Sequence, residues 1–276
     1  KTNFLIKNSQ LDLIEEFLIN NQVINSHPVL TRHLVDNYLS ESNIKKTCEF
    51  FSRIKEPVED DYLSKFNLYC LINYGKNEEA QLILDLKKEI GFEDEYFENK
   101  INYLFGYIEE ASDEISEDSI LDFHLAHRTN SEFSFQPDEN TSKLIWKYLS
   151  NSNLLPDLTN IDISEEDKIS VVEKATHYKI YSEKGLFEYY KKFQFDINQL
   201  LDAKNNYQSL TSIESRALIY QKILLESEMV EKLKLLKILK DLFKKDNIEL
   251  AFDEELKRYL EKMDPLEIPD SLTSFY

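Results

Sequence analysis

Apolar positions recur at intervals of three and four along most of the chain, and short polar stretches divide them into runs. In LDLIEEFLINN (11–21), Leu11, Ile14 and Leu18 fall on one face with Phe17 beside them, while Asp12, Glu15, Glu16 and Asn20 fall largely opposite. A period near 3.6 residues predicts an amphipathic helix. The pattern returns in PVLTRHLVDNYL, where Pro28 takes the first helical position, and in NIKKTCEFFSRIK, DDYLSKFNLYCLINY and NEEAQLILDLKKEI. Gly75, Gly91 and Gly185 stand where these runs should stop, and are read as left-handed caps, a conformation that costs glycine nothing sterically. Ser116 and Ser164 precede the acidic first turns SEDS and SEED, as N-caps do.

Four Gly and six Pro in 276 residues are too few for the tight turns of a sandwich or barrel, or for the glycine loops of a dinucleotide-binding sheet. The fold class is therefore all-α. Short helices joined by short loops raise the question of repeats. LYCLINYGKNEEAQLIL (68–84) resembles the junction between the two helices of a tetratricopeptide repeat, through Tyr74-Gly75 and Glu79-Ala80. In that family the Gly makes the inter-helix turn and the Ala lets the helices approach. The same interval returns at Ser42 to Thr47 and at Asp246 to Ala251, whereas at Gly185 it brings Tyr190 to the small-residue position. The expected architecture is an irregular, tetratricopeptide-like α-solenoid of antiparallel helix pairs with about twelve to fourteen helices. Its expected divisions are an N-terminal array at 1–128, an irregular connector at 129–163 with one helix around Leu144 to Leu149, a C-terminal array at 164–263 and an extended tail at 264–276.

Three segments carry a second resemblance: NYGKNEEAQLILDLKKEIG (73–91), SILDFHLAHR (119–128) and ESRALIYQKIL (214–224). In this order they are similar to segments of uncharacterised, exported helical-repeat proteins of alphaproteobacteria. The resemblance implies a periplasmic location and no particular activity; otherwise the chain is expected in the cytoplasm. A first residue other than Met suits a mature or trimmed form.

Charge narrows the partners. With 52 acidic and 33 basic residues the chain carries −19, which repels phosphate backbones and anionic membrane surfaces. Nucleic acid is not expected, and no apolar run is long enough for a membrane span. Cys48 and Cys70 fit no metal spacing. They read either as small apolar residues in helix cores or as one disulfide, which requires an oxidising compartment.

DSILDFHLAHRTN (118–130) looks most like chemistry, because His124 and His127 share one helix side near Asp118 and Asp122. A zinc site needs three or four converging ligands, and His27, His33 and His177 lie on other predicted helices. The pair reads as two partly buried rings, with Arg128 favourably near a helix C-terminus. Glu226-Ser227 matches only a dipeptide of lytic transglycosylases, some of which carry helical solenoids. No nucleophile elbow, phosphate loop or HExxH occurs. No catalytic, metal or cofactor residue is assigned, and the chain is expected not to be an enzyme.

Two surfaces remain. Residues 93–122 hold eleven Asp and Glu and one Lys, interleaved with Tyr96, Phe97, Tyr103, Phe105 and Tyr107. Such a stretch reads as a solvated face or as an acidic, aromatic-edged groove for a basic segment. The groove residues would be Tyr96, Tyr103, Tyr107, Glu109, Glu110, Asp113 and Glu114, the four acids at a polar helix end. Lys232, Lys234, Lys237, Lys240, Lys244 and Lys245 mark a basic helix, either solvated or paired with the acidic stretch of another molecule. The expected function is a non-catalytic scaffold that binds a protein or a peptide. The alternative is the helical accessory domain of a peptidoglycan-cleaving lytic transglycosylase.

Overall fold

The periodic runs fold as helices. The computed structural model describes residues 10–138, 140–265, 268–269, 272–273 and 275–276. Among them the chain is all-helical, with fifteen α-helices, two 3₁₀ segments and no strand.

Two units divide these elements. The first comprises Lys1–Phe135 and Ser142–Leu154, the second Gln136–Thr141 and Leu155–Tyr276. The first holds α1 (Leu11–Asn21), α2 (Pro28–Ser40), α3 (Ile44–Ser52), α4 (Asp61–Asn73), α5 (Asn77–Glu89), α6 (Glu95–Phe105), α7 (Ile120–Thr129) and α8 (Lys143–Asn151). The second holds α9 (Glu166–His177), α10 (Glu183–Tyr190), the single turns α11 (Ile197–Leu201) and α12 (Ala203–Asn206), α13 (Ser212–Leu225), α14 (Met229–Lys245) and α15 (Asp253–Leu260). The stretch 129–163 thus contributes to both units, and α8 is its one helix.

Helix ends explain how so few glycines suffice. Eight helices close through a left-handed residue: Gln22, Ser42, Asn153, Lys179 and Asn247 besides Gly75, Gly91 and Gly106. After each, the next N–H donates to the carbonyl five residues back, as from Lys76 to Leu71 at 2.9 Å and from Ile248 to Phe243 at 3.0 Å. This Schellman closure satisfies carbonyls that a helix end otherwise leaves open. Gly185 is a correction, because it lies inside the first turn of α10, where its N–H donates to Ser182 Oγ at 3.1 Å. Its need for glycine is steric, since a Cβ would stand 2.6 Å from the Tyr181 ring. The cap near 246 falls on Asn247, one residue later than expected.

Two N-cap assignments also move. Ser119, not Ser116, caps α7 by accepting the Asp122 N–H at 3.0 Å, and Ser116 Oγ accepts the Asp118 N–H within the preceding loop. Ser164 instead donates its N–H to Asp162 Oδ1, and Glu165 takes the N-cap position before α9. Pairs of acids do favour the first turn of α9, as the helix dipole requires.

Each unit is built around one helix. In the first, α2 packs against α1, α3, α4, α7 and α8, and Leu30, Leu34, Val35, Tyr38 and Leu39 are all buried. Burying such a side chain stabilises by about 1.5–3 kcal/mol. Cys48 on α3 and Cys70 on α4, both buried, form a disulfide with Cα atoms 5.1 Å apart, which settles the two readings of these residues. In the second unit α13 packs against α9 to α12 and α14, and Phe187, Tyr190, Tyr220, Phe243 and Phe252 make an aromatic core. Part of the tail 264–276 lies outside the described residues; of the rest, Leu272 is buried.

Candidate functional site

On α7 the two histidines meet tyrosines. His124 is 1% exposed, its Nδ1 is 2.8 Å from Tyr148 Oη, and its Nε2 is 2.8 Å from Tyr69 Oη. His127 Nδ1 is 2.7 Å from the same Tyr148 hydroxyl. One proton order satisfies all three contacts with neutral rings: Tyr69 donates to His124 Nε2, His124 Nδ1–H donates to Tyr148, and Tyr148 donates to His127. Burial, with lesser effects of Arg128 and His127, holds His124 at about 3, so it stays uncharged across physiological pH. The cluster is a buried polar network with no solvent access at His124. Asp118 is exposed in the loop before α7, and Asp122 binds Lys65 and the Ser119 hydroxyl instead of a ring. Among the described residues no group of three His, Cys, Asp or Glu side chains could hold a metal ion.

The acidic stretch divides between helix and loop. α6 ends at Phe105, so Glu109, Glu110, Asp113 and Glu114 lie on an irregular strap, 106–119, and not at the end of a helix as expected. The strap is held from beneath. Lys100, 0% exposed, donates through Nζ to the Ser112 carbonyl and, at 3.1 Å, to that of Glu114, with the ammonium 5.1 Å from the Tyr96 ring centre. Asn99 Oδ1 accepts the Ser112 N–H at 2.8 Å, and Tyr96 Oη accepts from Ser116 N–H at 3.3 Å. Burial lowers the Lys100 pKa, and the nearby Asp113 and Glu114 oppose that shift.

Inward ties leave the strap carboxylates outside. All four are exposed, and none makes a salt bridge among the described residues. Tyr107, 62% exposed, stacks on Phe105 with ring centres 5.2 Å apart. Tyr96 and Tyr103 are half-buried, and Tyr96 serves the strap's anchorage through Glu114 and Ser116.

The second unit carries a buried ion cluster that the pattern of charges left unmarked. Arg216 on α13 grips Glu173 on α9 with two parallel bonds, Nε to Oε1 at 2.9 Å and Nη2 to Oε2 at 2.6 Å. Its Nη1 reaches Asp246, and the Tyr190 hydroxyl donates to Glu173 at 2.5 Å. Burial pushes Glu173 up, while the guanidinium and the Tyr190 hydroxyl pull it down. A cleft of about 420 Å³ reaches this cluster and shares Asp167 and Ser170 with a second cleft of about 670 Å³. Buried Pro137, Leu158 and Ile161 and exposed Asp138, Asp157 and Asp167 line the larger one. Elsewhere, Glu226 turns its own carboxylate onto the Ser227 and Glu228 N–H groups and pairs with Lys222, in the turn after α13.

The lysines of 232–245 lie on α14, whose buried face is Leu233, Leu235, Leu236, Leu239 and Phe243. Lys234, Lys237, Lys240, Lys244 and Lys245 are exposed and Lys232 is half-buried. Lys234 pairs with Glu231, and Lys240 lies over the Phe275 ring.

No protein family, no curated protein and no solved structure matches this chain. Nor is any helix among the described residues long and apolar enough to cross a membrane.

Proposed function

We propose that this protein is a non-catalytic helical-repeat scaffold that binds a basic segment of a protein or peptide along the strap 106–119. The observation that carries the reading is the strap's anchorage on buried Lys100 with Glu109, Glu110, Asp113 and Glu114 turned to solvent. A loop fixed before binding loses little entropy on binding, and exposed carboxylates steer cationic partners. Tyr107, with Tyr103 and Tyr96 behind it, supplies amphipathic contact area.

The repeat part of the reading draws on local order. Sequence neighbours α1 to α5 pack successively on one another, as do α9 on α10 and α13 on α14. The turn at Gly75 has the left-handed backbone, and Ala80 is fully buried, as a tetratricopeptide-like junction needs. We place the scaffold in an oxidising compartment such as the periplasm, in keeping with the likeness to exported helical-repeat proteins. The Cys48–Cys70 disulfide supports this, since reducing compartments keep thiols free.

The test uses fluorescent peptides bearing Lys and Arg, with sequence-matched acidic peptides as controls. Basic peptides should bind wild type and lose at least about tenfold in affinity with E109K/E110K/D113K/E114K. K100M, which takes the ammonium away from the Ser112 and Glu114 carbonyls, should weaken binding and also speed cleavage after the strap glutamates by a Glu-specific protease. Equal binding of basic and acidic peptides would overturn the reading.

A further inference from the structure

The strap meets its chemical complement on this chain's own surface. On α14, Lys237, Lys244 and Lys245 are exposed and make no salt bridge among the described residues, and Lys240 continues the row with only a ring contact. Lys237, Lys240 and Lys244 stand at i, i+3 and i+7, one face of a helix that rises 1.5 Å per residue, so the outer two are about 10 Å apart along the axis. The strap carboxylates run from Glu109 to Glu114, six residues of non-helical chain whose five steps span at most about 18 Å. A row of cations and a row of anions are therefore both unpaired by salt bridges among the described residues of the same molecule.

We propose that the strap of one molecule seats the lysine face of α14 of a second copy, in a head-to-tail contact. This rests on the strap being a docking surface for basic segments and names the segment. The contact is heterologous, so it propagates into chains or closes into a ring.

Salt gives this contact a signature that a small basic ligand lacks. Two molecules of −19 repel one another, and at low ionic strength, where charges act over about 30 Å, that repulsion dominates. At physiological salt the range falls to about 8 Å, so bodies no longer sense net charge while opposed side chains at contact still attract. At molar salt the contact itself is screened. Self-association should therefore pass through a maximum as salt rises, whereas binding of a basic peptide should only weaken.

The experiment is sedimentation velocity on the whole chain across concentration at low, physiological and molar salt. Three proteins are compared: wild type, K237E/K244E/K245E, and E109K/E110K/D113K/E114K, with far-UV circular dichroism to show that each is folded. Wild type should self-associate most strongly at intermediate salt, and each variant alone should lose at least about tenfold in association constant. An equimolar mixture of the two variants should regain association as alternating head-to-tail assemblies, because the acidic strap of one meets the lysine face of the other and the reversed charges match at the second contact. Wild type that stays monomeric at millimolar concentration at every salt would overturn the proposal. So would a mixture that fails to recover association. If basic peptides still need the strap while the chain stays monomeric, the binding function stands and the second copy is the wrong partner. If association responds to both variants while free basic peptides never bind, the strap is a self-contact and the peptide reading fails.

Discussion

Arg216→Met isolates the buried ion cluster. In the wild type the side chains of Arg216 and Glu173 are 2% and 3% exposed, and Glu173 also accepts from Tyr190. Removing the guanidinium leaves the buried Glu173 carboxyl beside Asp246 with the Tyr190 hydroxyl as donor, so burial and the Asp246 charge push its pKa further above 4.5 and it folds protonated. The unfolded chain still ionises. Each pH unit above 4.5 then costs the folded state about 1.4 kcal/mol until the carboxyl ionises in place. At pH 7 this amounts to about 3 kcal/mol, at the low end of the 3–5 kcal/mol found when one partner of a buried pair is removed. At pH 5 less than about 1 kcal/mol should remain. E173Q/R216M removes both charges yet keeps an acceptor for Tyr190, so it should lose less than R216M at pH 7. The assay is urea unfolding at both pH values by far-UV circular dichroism, with Trp146 fluorescence as a separate probe. Trp146 is the single tryptophan, fully buried, and belongs to the first unit, so a fluorescence transition that stays in place while the dichroism shifts would locate the loss in the second. A loss below about 1 kcal/mol at pH 7, or one equal at both pH values, would refute the reasoning.

Gly75→Val should destabilise by about 1–3 kcal/mol because a β-branched residue is strained at φ 73°, whereas Gly75→Asn should cost less than about 1 kcal/mol, as Asn153 and Asn247 already close helices this way. Urea midpoints of the two variants decide it, and equal losses would refute the turn. Tyr148→Phe should cost about 1–3 kcal/mol at neutral pH by leaving His124 and His127 each short of a partner. Because the folded state refuses the His124 proton that the unfolded chain accepts, wild-type stability should also fall as pH drops from 6.5 towards about 3, followed by Trp146 melts; a flat profile would contradict the network.

Much of the fold was legible because burial follows helical period. Ile14, Leu18, Leu34 and Leu84 are buried where the pattern places them, and the helices over 28–40, 61–73 and 77–89 begin and end within a residue or two of the periodic runs. Misplacements were local. Ser116 and Ser164 have the right chemistry for caps, but Ser119 sits nearer the first helical residue and Asp162 claims the Ser164 N–H. Gly185 looked like a stop because glycine commonly ends helices, while here it makes room for Tyr181. The ion cluster had a signal that composition hid. Arg216 stands between Ile213 and Ile219 on α13, and Glu173 between Ile169 and Thr176 on α9, so each puts a charge on an apolar stripe. Two such charges of opposite sign imply a buried pair. Which tyrosines reach His124 was not legible, since Tyr69 and Tyr148 come from helices 55 and 24 residues away.

Burial of charged groups also shapes the surface. Of the 33 cations, several act inside: Arg216, Lys100 and Lys65 are buried or nearly so, and they bind carboxylates or carbonyls there. A carboxylate paired in this way no longer projects its field, and neither does its partner. What a visitor senses at physiological salt is then set by exposed side chains within about 8 Å, not by the sum of −19. On that scale the strap presents Glu109, Glu110, Asp113 and Glu114 to solvent, while Lys100 is beneath it and committed to carbonyls. On the same scale the outer face of α14 is positive, with Asp241 as its exposed acid among five exposed lysines. A chain that is strongly acidic in total can therefore present both signs at contact distance, and the disposition of its few buried cations decides where each sign appears.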